Sequence, residues 1–411
     1  MKKVKLQEIC NITTGKLDAN QAKPKGKYPF FTCASEPSYI DTFAFDEKVI
    51  LIAGNNASGN FHLNRFFGKF NAYQRTYVLT VKENYNFDYI YYALKIALRK
   101  TKEKSQGSQT KFLTMPILTS FLITLPDLPT QTAIAKVLSS LDDKIELNNK
   151  INKELEATVK ELYDYWFVQN ADKGWERVRL SEIANITMGQ SPDGSSYNEN
   201  GDGIIFYQGC TDFGERFPIV RQYTTAPTRF AQVGDILLSV RAPVGSINFA
   251  NTKCCIGRGL AALNSKIGSI AHLYFVLNEL KVIFNRMNFA GTTFGAITKD
   301  DLYSLSVIKP PQKILLNFEK IAKPIFEKQF IIAEESICLA QLRDFQLPLL
   351  MNGQVKITKE KSTPTIIPFK ESIKEDTKYK AWKEQVGAAA RGDIDEKTLR
   401  NIYEATDEDD R

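Results

Sequence analysis

A stretch near the start of the chain recurs in its middle, and that recurrence limits the possible architectures more than any other feature. Val4-Lys5-Leu6-Gln7-Glu8-Ile9-Cys10-Asn11-Ile12-Thr13-Thr14-Gly15 reappears as Val178-Arg179-Leu180-Ser181-Glu182-Ile183-Ala184-Asn185-Ile186-Thr187-Met188-Gly189, with eight of the twelve positions identical. A second match runs from Gly107 to Thr114 and on through Leu118, Phe121, Ile123 and Pro126. Its copy runs from Gly291 to Thr298 and on through Leu302, Leu305, Val307 and Pro310. The offset between the copies changes little from one match to the next, so the chain holds two full-length copies of one domain. With 411 residues there is room for both and for connecting elements.

Each copy leaves through prolines (Pro126 and Pro129; Pro310 and Pro311) into a long helical pattern. In the first, Leu138, Leu141, Ile145, Asn148, Asn152, Leu155, Val159, Leu162 and Trp166 alternate spacings of three and four. In the second, Phe318, Ile321, Ile325, Lys328, Ile332, Glu335, Leu339, Leu342, Gln346 and Leu349 do the same. A 3.5-residue period kept up for about four heptads predicts a coiled-coil seam, and each helix would run about 45 Å. Asn148, Asn152, Lys328 and Glu335 interrupt the seams, as residues that fix register or orientation do. The competing reading makes these the core helices of one globular domain; their length, regular alternation and charged outer faces speak against it. Antiparallel packing of the pair would give an approximate internal twofold.

The globular halves read as α/β. Val49–Ala53 and Thr76–Thr80 are predicted strands and Phe87–Leu98 a helix with Tyr89, Tyr92, Ala93 and Ile96 on one face. Asp235–Ser239, Gly259–Leu263 and a helix over Ile270–Phe284 are the counterparts. Between the strands of each half lie small, amide and cationic residues. The expected DNA-contacting residues are Asn55, Asn56, Ser58, Asn60, Gln74 and Arg75 in the first half. In the second half they are Gln208, Ser239, Arg241, Ser246 and Arg258. Asn and Gln can bond adenine bidentately and Arg guanine, while small residues let the backbone approach phosphate. Gly-Asn and Pro-Val-Gly are also ordinary turn chemistry. What favours recognition is that the loops occupy equivalent places in two repeated domains yet differ in content.

Catalytic parts are missing. There is no GxxxxGK[ST] phosphate loop and no GxGxxG after a strand, and Lys309-Pro310-Pro311-Gln312 lacks the Asn or Asp of an adenine methyltransferase motif. His62 and His272 are the only histidines, and His272 reads as a packed or capping residue. Asp142-Asp143-Lys144 reads as a solvated charge run. The six cysteines show no metal-ligand spacing, so no metal is expected and the thiols read as reduced. A net charge of +7 permits a nucleic-acid partner without requiring one. No apolar run approaches a membrane span, and Met1–Cys10 continues without the apolar core of an export signal, so a cytoplasmic location is expected.

The segment Leu128–Asn152 (LPTQTAIAKVLSSLDDKIELNNKIN), together with Asp235–Gly245 (DILLSVRAPVG) and Ile256–Ala261 (IGRGLA), closely resembles Type I restriction-modification specificity subunits. Ile50–Gly54 with Ala72–Val78 resembles the other common version of the same recognition domain. The likeness covers residues 1 to about 352. It implies target-recognition domains at 1–129 and 171–311, spacer helices at 130–170 and 312–352 setting an unread gap, and a polar tail at 353–411. It further implies a non-catalytic reader of a bipartite asymmetric DNA site that assembles with two modification subunits and with restriction subunits. S-adenosylmethionine, ATP and magnesium would belong to those partners, with no cofactor on this chain. The alternatives are a coiled-coil scaffold presenting two protein-binding domains, which gives no reason for the Arg/Asn/Gln loops, and an enzyme with an unfamiliar site.

The tail departs from the family pattern. It holds a Thr/Pro linker (Thr363–Pro368), an expected charged helix over about Lys378–Arg391 and the acidic run Asp407–Asp410. Its net charge of −1 leaves +8 on residues 1–352. It reads as a solvated extension, or as a segment that contacts a partner subunit or covers the DNA cleft.

Overall fold

The two copies of the repeated stretch fold alike because the same side chains satisfy the same backbone groups. In the computed structural model, which describes residues 2–55, 61–104, 112–290, 295–355 and 357, each copy is a strand, a single helical turn and a second strand. These are β1 (Lys2–Lys5), α1 (Leu6–Ile9) and β2 (Cys10–Thr14), then β9 (Glu176–Arg179), α5 (Leu180–Ile183) and β10 (Ala184–Met188). The repeated glutamate closes each turn: Glu8 Oε1 accepts from Lys5 N at 3.3 Å, and Glu182 Oε1 from Arg179 N at 2.9 Å. The repeated leucine and isoleucine, Leu6 with Ile9 and Leu180 with Ile183, are fully buried below.

The described residues fall into two compact units. One comprises the residues up to Ile145 with those from Cys338 on, and the other comprises Glu146–Ile337. In the first unit, β3 (Tyr28–Phe31), β4 (Ser38–Ile40), β5 (Phe45–Ala53), β6 (Leu63–Ala72) and β7 (Thr76–Val81) join β2 in a six-stranded sheet of order β2-β7-β5-β6-β3-β4. The β3–β6 pairing is parallel. The α2 helix (Phe87–Lys104), α3 (Met115–Thr119) and β8 (Leu122–Leu125), which pairs with β1, complete the domain. The apolar run Val49–Ala53 is a strand with cores on both faces. Ile50 and Ile52 pack with Leu79 against Tyr89 and Leu94 of α2; Val49 and Leu51 pack with Val78 against Phe31 and Phe70.

The second unit repeats the plan with a differently divided sheet. Its strands are β11 (Tyr197–Asn198), β12 (Ile204–Tyr207), β13 (Tyr223–Thr224), β14 (Phe230–Ala231), β15 (Ile236–Ser239), β16 (Ile247–Phe249), β17 (Cys254–Ile256) and β18 (Leu260–Ser265). They form one sheet of order β10-β18-β15-β16 and another of order β11-β13-β12-β17-β14, with β12 and β17 parallel. The expected helix over 270–284 is instead two, α6 (Ile270–Glu279) and α7 (Lys281–Ala290). The chain turns at Leu280, and fully buried Phe284 then lies directly under Gly245. The domain closes with α8 (Lys299–Ser304) and β19 (Ser306–Lys309), which pairs with β9. His272 is buried against Phe167 and Tyr163, and burial pushes its imidazole down to about 4.

The two long helical patterns are α4 (Leu128–Tyr163), which ends in a π-helical turn at Asp164–Gln169, and α9 (Gln312–Met351). Each gives one part to each unit. In the first unit Ile134 and Leu138 of α4 share a core with Leu347 and Leu350 of α9. In the second, Leu155, Val159 and Leu162 share one with Phe318, Ile325 and Ile332, and the two helices run antiparallel there. Asn148 Nδ2 donates to Glu335 at 2.7 Å, and Gln329 Nε2 donates to the Asn152 carbonyl at 2.9 Å.

Two expectations about these helices are corrected. The α9 seam holds Phe318, Ile325 and Ile332, but Lys328, Glu335 and Leu342 are exposed, and Gln329, Ser336 and Arg343 stand inside in their places. The seven-residue repeat is kept, but the second seam position follows the first by four residues and not three, as buried Ala322, Gln329 and Ser336 show, so the expected seam is out of phase by one. Asp142 is not solvated. Its Oδ1 receives Arg343 Nη1 at 2.6 Å and its Oδ2 the Tyr92 hydroxyl at 2.6 Å, both bonds holding the carboxyl below its usual range although burial opposes them. The predicted tail helix and acidic run lie outside the described residues. Among those residues, no helix is long and apolar enough to cross a membrane.

Candidate nucleic-acid interface

The last residue of the repeat is glycine in both copies because backbone passes through the space a Cβ would need. At Gly15 a Cβ would lie 1.9 Å from the Ala72 carbonyl oxygen, and at Gly189 it would lie 2.2 Å from that of Gly257. These contacts seat the β6–β7 turn (Tyr73-Gln74-Arg75) and the β17–β18 turn (Gly257-Arg258-Gly259) at the same place in the two units. Tyr73 N bonds the Phe31 carbonyl at 2.9 Å, and Gly257 N bonds that of Tyr207 at 2.8 Å. Arg75 and Arg258 stand exposed on these turns, and neither has a side-chain partner among the described residues.

The strand beside each turn ends in a second matched position. Leu113 N bonds the Gly54 carbonyl and Ile297 N the Val240 carbonyl, both at 2.9 Å. One residue on, Asn55 forms an isolated bridge with Phe112, and Arg241 forms one with Ala296. Asn55 and Arg241 are thus structural equivalents with different hydrogen-bonding heads. Asn55 is half-buried; Arg241 is exposed and without a side-chain partner among the described residues.

The other expected residues divide by what their polar groups already bond. Gln74 is exposed, and its Nε2 donates to Asp18 at 2.9 Å. Gln208 is half-buried, its Nε2 donating to Ser191 Oγ at 2.9 Å. Ser239 is fully buried, contrary to a contact role through its hydroxyl, which donates to the Pro243 carbonyl at 2.7 Å and accepts from Ser246 N at 2.8 Å. That pair of bonds closes the loop carrying Arg241 across the cis Ala242–Pro243 bond. Ser246 is half-buried and holds the loop through its backbone. Asn56, Ser58 and Asn60 lie outside the described residues.

Sequence reasoning missed Lys16 and Gln190, the exposed residues just after the repeat. Leu17 bridges Tyr73 and Gln190 N bonds the Ile256 carbonyl at 3.0 Å, so each sits beside its turn. Extending the repeat by one position would have found them. Exposed Arg229 adds a cation, its carbonyl held by Ile256 N at 2.9 Å. Each unit therefore presents a small cluster of amide and guanidinium groups on backbone fixed by hydrogen bonds, the donor set that reads base edges and phosphates. Among the described residues no cluster of His, Cys, Asp and Glu could hold a metal ion.

Residues 1–157 and 172–326 both match the family model described as the Type I restriction modification DNA specificity domain. The chain belongs to the Type I specificity subunits. This specificity subunit is 29% identical over 396 residues to the putative type I restriction enzyme MjaX specificity subunit of Methanocaldococcus jannaschii, an alignment spanning 86% of this chain and 93% of that one. To the EcoDI specificity subunit of Escherichia coli it is 40% identical over 215 residues, 48% of this chain and 47% of the other. In fold it resembles the S subunit of the Type-I restriction-modification system from M. genitalium, with a TM-score of 0.52 at 19% identity over 87% of this chain and 96% of that one. Its two domains are thus target-recognition domains of mixed α/β content.

Proposed function

We propose that this specificity subunit reads a bipartite, asymmetric DNA duplex, one half-site with each recognition domain, and performs no chemistry itself. Two modification subunits, methylating adenine with S-adenosylmethionine, and restriction subunits using ATP and magnesium assemble on it and carry those cofactors. The long helices, pairing as an antiparallel coiled coil about a pseudo-twofold, set the unread gap between the half-sites. A fixed gap lets two modest readers act as one tight reader, through effective concentration, only when the half-site separation fits. The observation that carries the reading is the matched pair Asn55 and Arg241, one scaffold position bearing an amide in one domain and a guanidinium in the other.

The test is methylation mapping of the host genome with and without the gene. A split, adenine-methylated motif should disappear with the gene, and Arg241→Ala should relax one half of that motif only. Equal relaxation of both halves would refute the assignment of one reader per half-site.

A further inference from the structure

One arginine of the second unit is buried where no recognition surface lies. Arg216, in the segment between β12 and β13, is 8% exposed, and its guanidinium sits over the rings of Phe249, Phe326 and Phe330 at 5.0, 5.1 and 5.2 Å. Its Nη2 donates to Gln329 Oε1 on α9 at 2.7 Å, and its Nη1 faces Glu156 Oε2 on α4 at 3.5 Å. Both acceptors are themselves held: Gln329 donates to the Asn152 carbonyl of α4, and Glu156 accepts from the Tyr274 hydroxyl of α6 at 2.7 Å. A cation in so apolar a box is costly, and these acceptors offset that cost at Nη1 and Nη2, while Nε is buried without a partner among the described residues, so displacing the loop from the helices would strand the charge.

The loop is tied to the recognition face as tightly as to the helices. The Arg216 carbonyl accepts from Phe249 N at 3.0 Å, and Asn248 Nδ2 donates to the Gly214 carbonyl at 3.0 Å, so the loop grips β16 immediately after Ser246. Its start is Gln208 itself, and Arg221 Nε closes its far side on buried Asp212 at 2.6 Å. The first unit uses different residues for a similar link: Arg65 of β6 bonds Asp88 of α2 at 2.8 Å and reaches Asp143 of α4 at 3.5 Å.

We infer that Arg216 is a positioning residue, fixing the bearing of the second recognition domain on its helices and with it the angle at which Gln208, Arg241 and Arg258 meet DNA. The inference rests on the proposed reading of half-sites. It is tested on the full chain in complex with its modification subunits, comparing wild type with Arg216→Met, which keeps bulk among the rings, and Arg216→Lys, which keeps the charge. Competition duplexes carry single base changes in one half of the mapped motif or the other.

Arg216→Met should lower discrimination in the second domain's half-site by roughly tenfold, the worth of one good base contact, and leave the other half unchanged. Arg216→Lys should recover part of the loss. Amide exchange at Ile219 and Phe249 should quicken in Arg216→Met while the melting temperature of the first unit stays fixed. Unchanged discrimination beside quickened exchange, or equal loss in both halves, overturns the inference. A wild-type complex with no split-site preference refutes the functional reading instead; slow Ile219 and Phe249 exchange in Arg216→Met would then refute the hold on the loop separately.

Discussion

Replacing Gly189 by alanine should blunt one reader and spare the other. The new Cβ would start 2.2 Å from the Gly257 carbonyl oxygen and 2.8 Å from that of Leu260, where real Cβ contacts essentially never fall below 3.0 Å. The Gly257 carbonyl must therefore retreat by at least 0.8 Å, from 2.2 to 3.0 Å or beyond. The turn is also held there by Gly189 N on the Leu260 carbonyl at 2.9 Å and Gln190 N on the Ile256 carbonyl at 3.0 Å. The Leu260 carbonyl need retreat by only 0.2 Å, from 2.8 to 3.0 Å, so its bond from Gly189 N survives and the larger shift falls on the Gly257 carbonyl. That shift carries Arg258 with it, and a misplaced bidentate base contact loses about 1–3 kcal/mol of discrimination, roughly 5-fold to 150-fold. The assay is competition binding by the complex with its modification subunits, using duplexes altered in one half-site at a time. Gly15→Ala, whose Cβ would meet the Ala72 carbonyl oxygen at 1.9 Å, should give the mirror result in the other half. Should Gly189→Ala leave discrimination intact, or weaken both halves alike, the claim that this close approach seats one reading turn is wrong.

Three further outcomes concern stability and reactivity. Arg343→Met strips the mostly buried Asp142 carboxylate of its cation and should destabilise the first unit by roughly 3 kcal/mol in urea unfolding; adding Asp142→Asn should restore more than half of that, and purely additive losses would contradict the pairing. His272 has a folded pKa of about 4, below the ordinary 6.5, so the unfolded chain binds more protons between those values. Stability of the second unit is full above pH 6.5 and should fall by up to roughly 3 kcal/mol as pH drops to about 4. His272→Gln should flatten that slope, and an unchanged slope would assign it elsewhere. Cys338 is exposed, whereas burial pushes the Cys10 and Cys254 thiols up to about 12. Timed alkylation read by mass spectrometry should therefore label Cys338 first and reach Cys10 and Cys254 only on unfolding.

The duplicated domain was legible because its signal is local and redundant. Glu8 and Glu182 cap their turns, Leu6 and Leu180 fill the same hollow, and the apolar runs at Val49 and Ile236 have cores on both faces. Long-range placement was less legible. Ser239 looked like a loop donor because its neighbours do, yet its hydroxyl closes the loop from beneath. Asp142 looked solvated because an Asp-Asp-Lys run usually is; its partners, Tyr92 and Arg343, lie 50 and 201 residues away in sequence. The slip from Gln329 to Lys328 is a one-residue error of phase, since Phe318, Ile325 and Ile332 keep the seven-residue period while their seam partners, Ala322, Gln329 and Ser336, follow four residues on and not three. Arg216 carried no motif at all, since its box is assembled from β16, α4 and α9.

The two matched turns are seated through main-chain atoms, Gly15 on Ala72 and Gly189 on Gly257, while the Arg75, Arg241 and Arg258 side chains lean on nothing else in the described chain. Folding therefore places few demands on the identity of those side chains. If those arginines read DNA as proposed, substitution there would alter what is read at little cost to the scaffold, leaving new specificities open to point mutation without prior stabilisation. Drift in lettering and persistence in shape are compatible in a protein built this way.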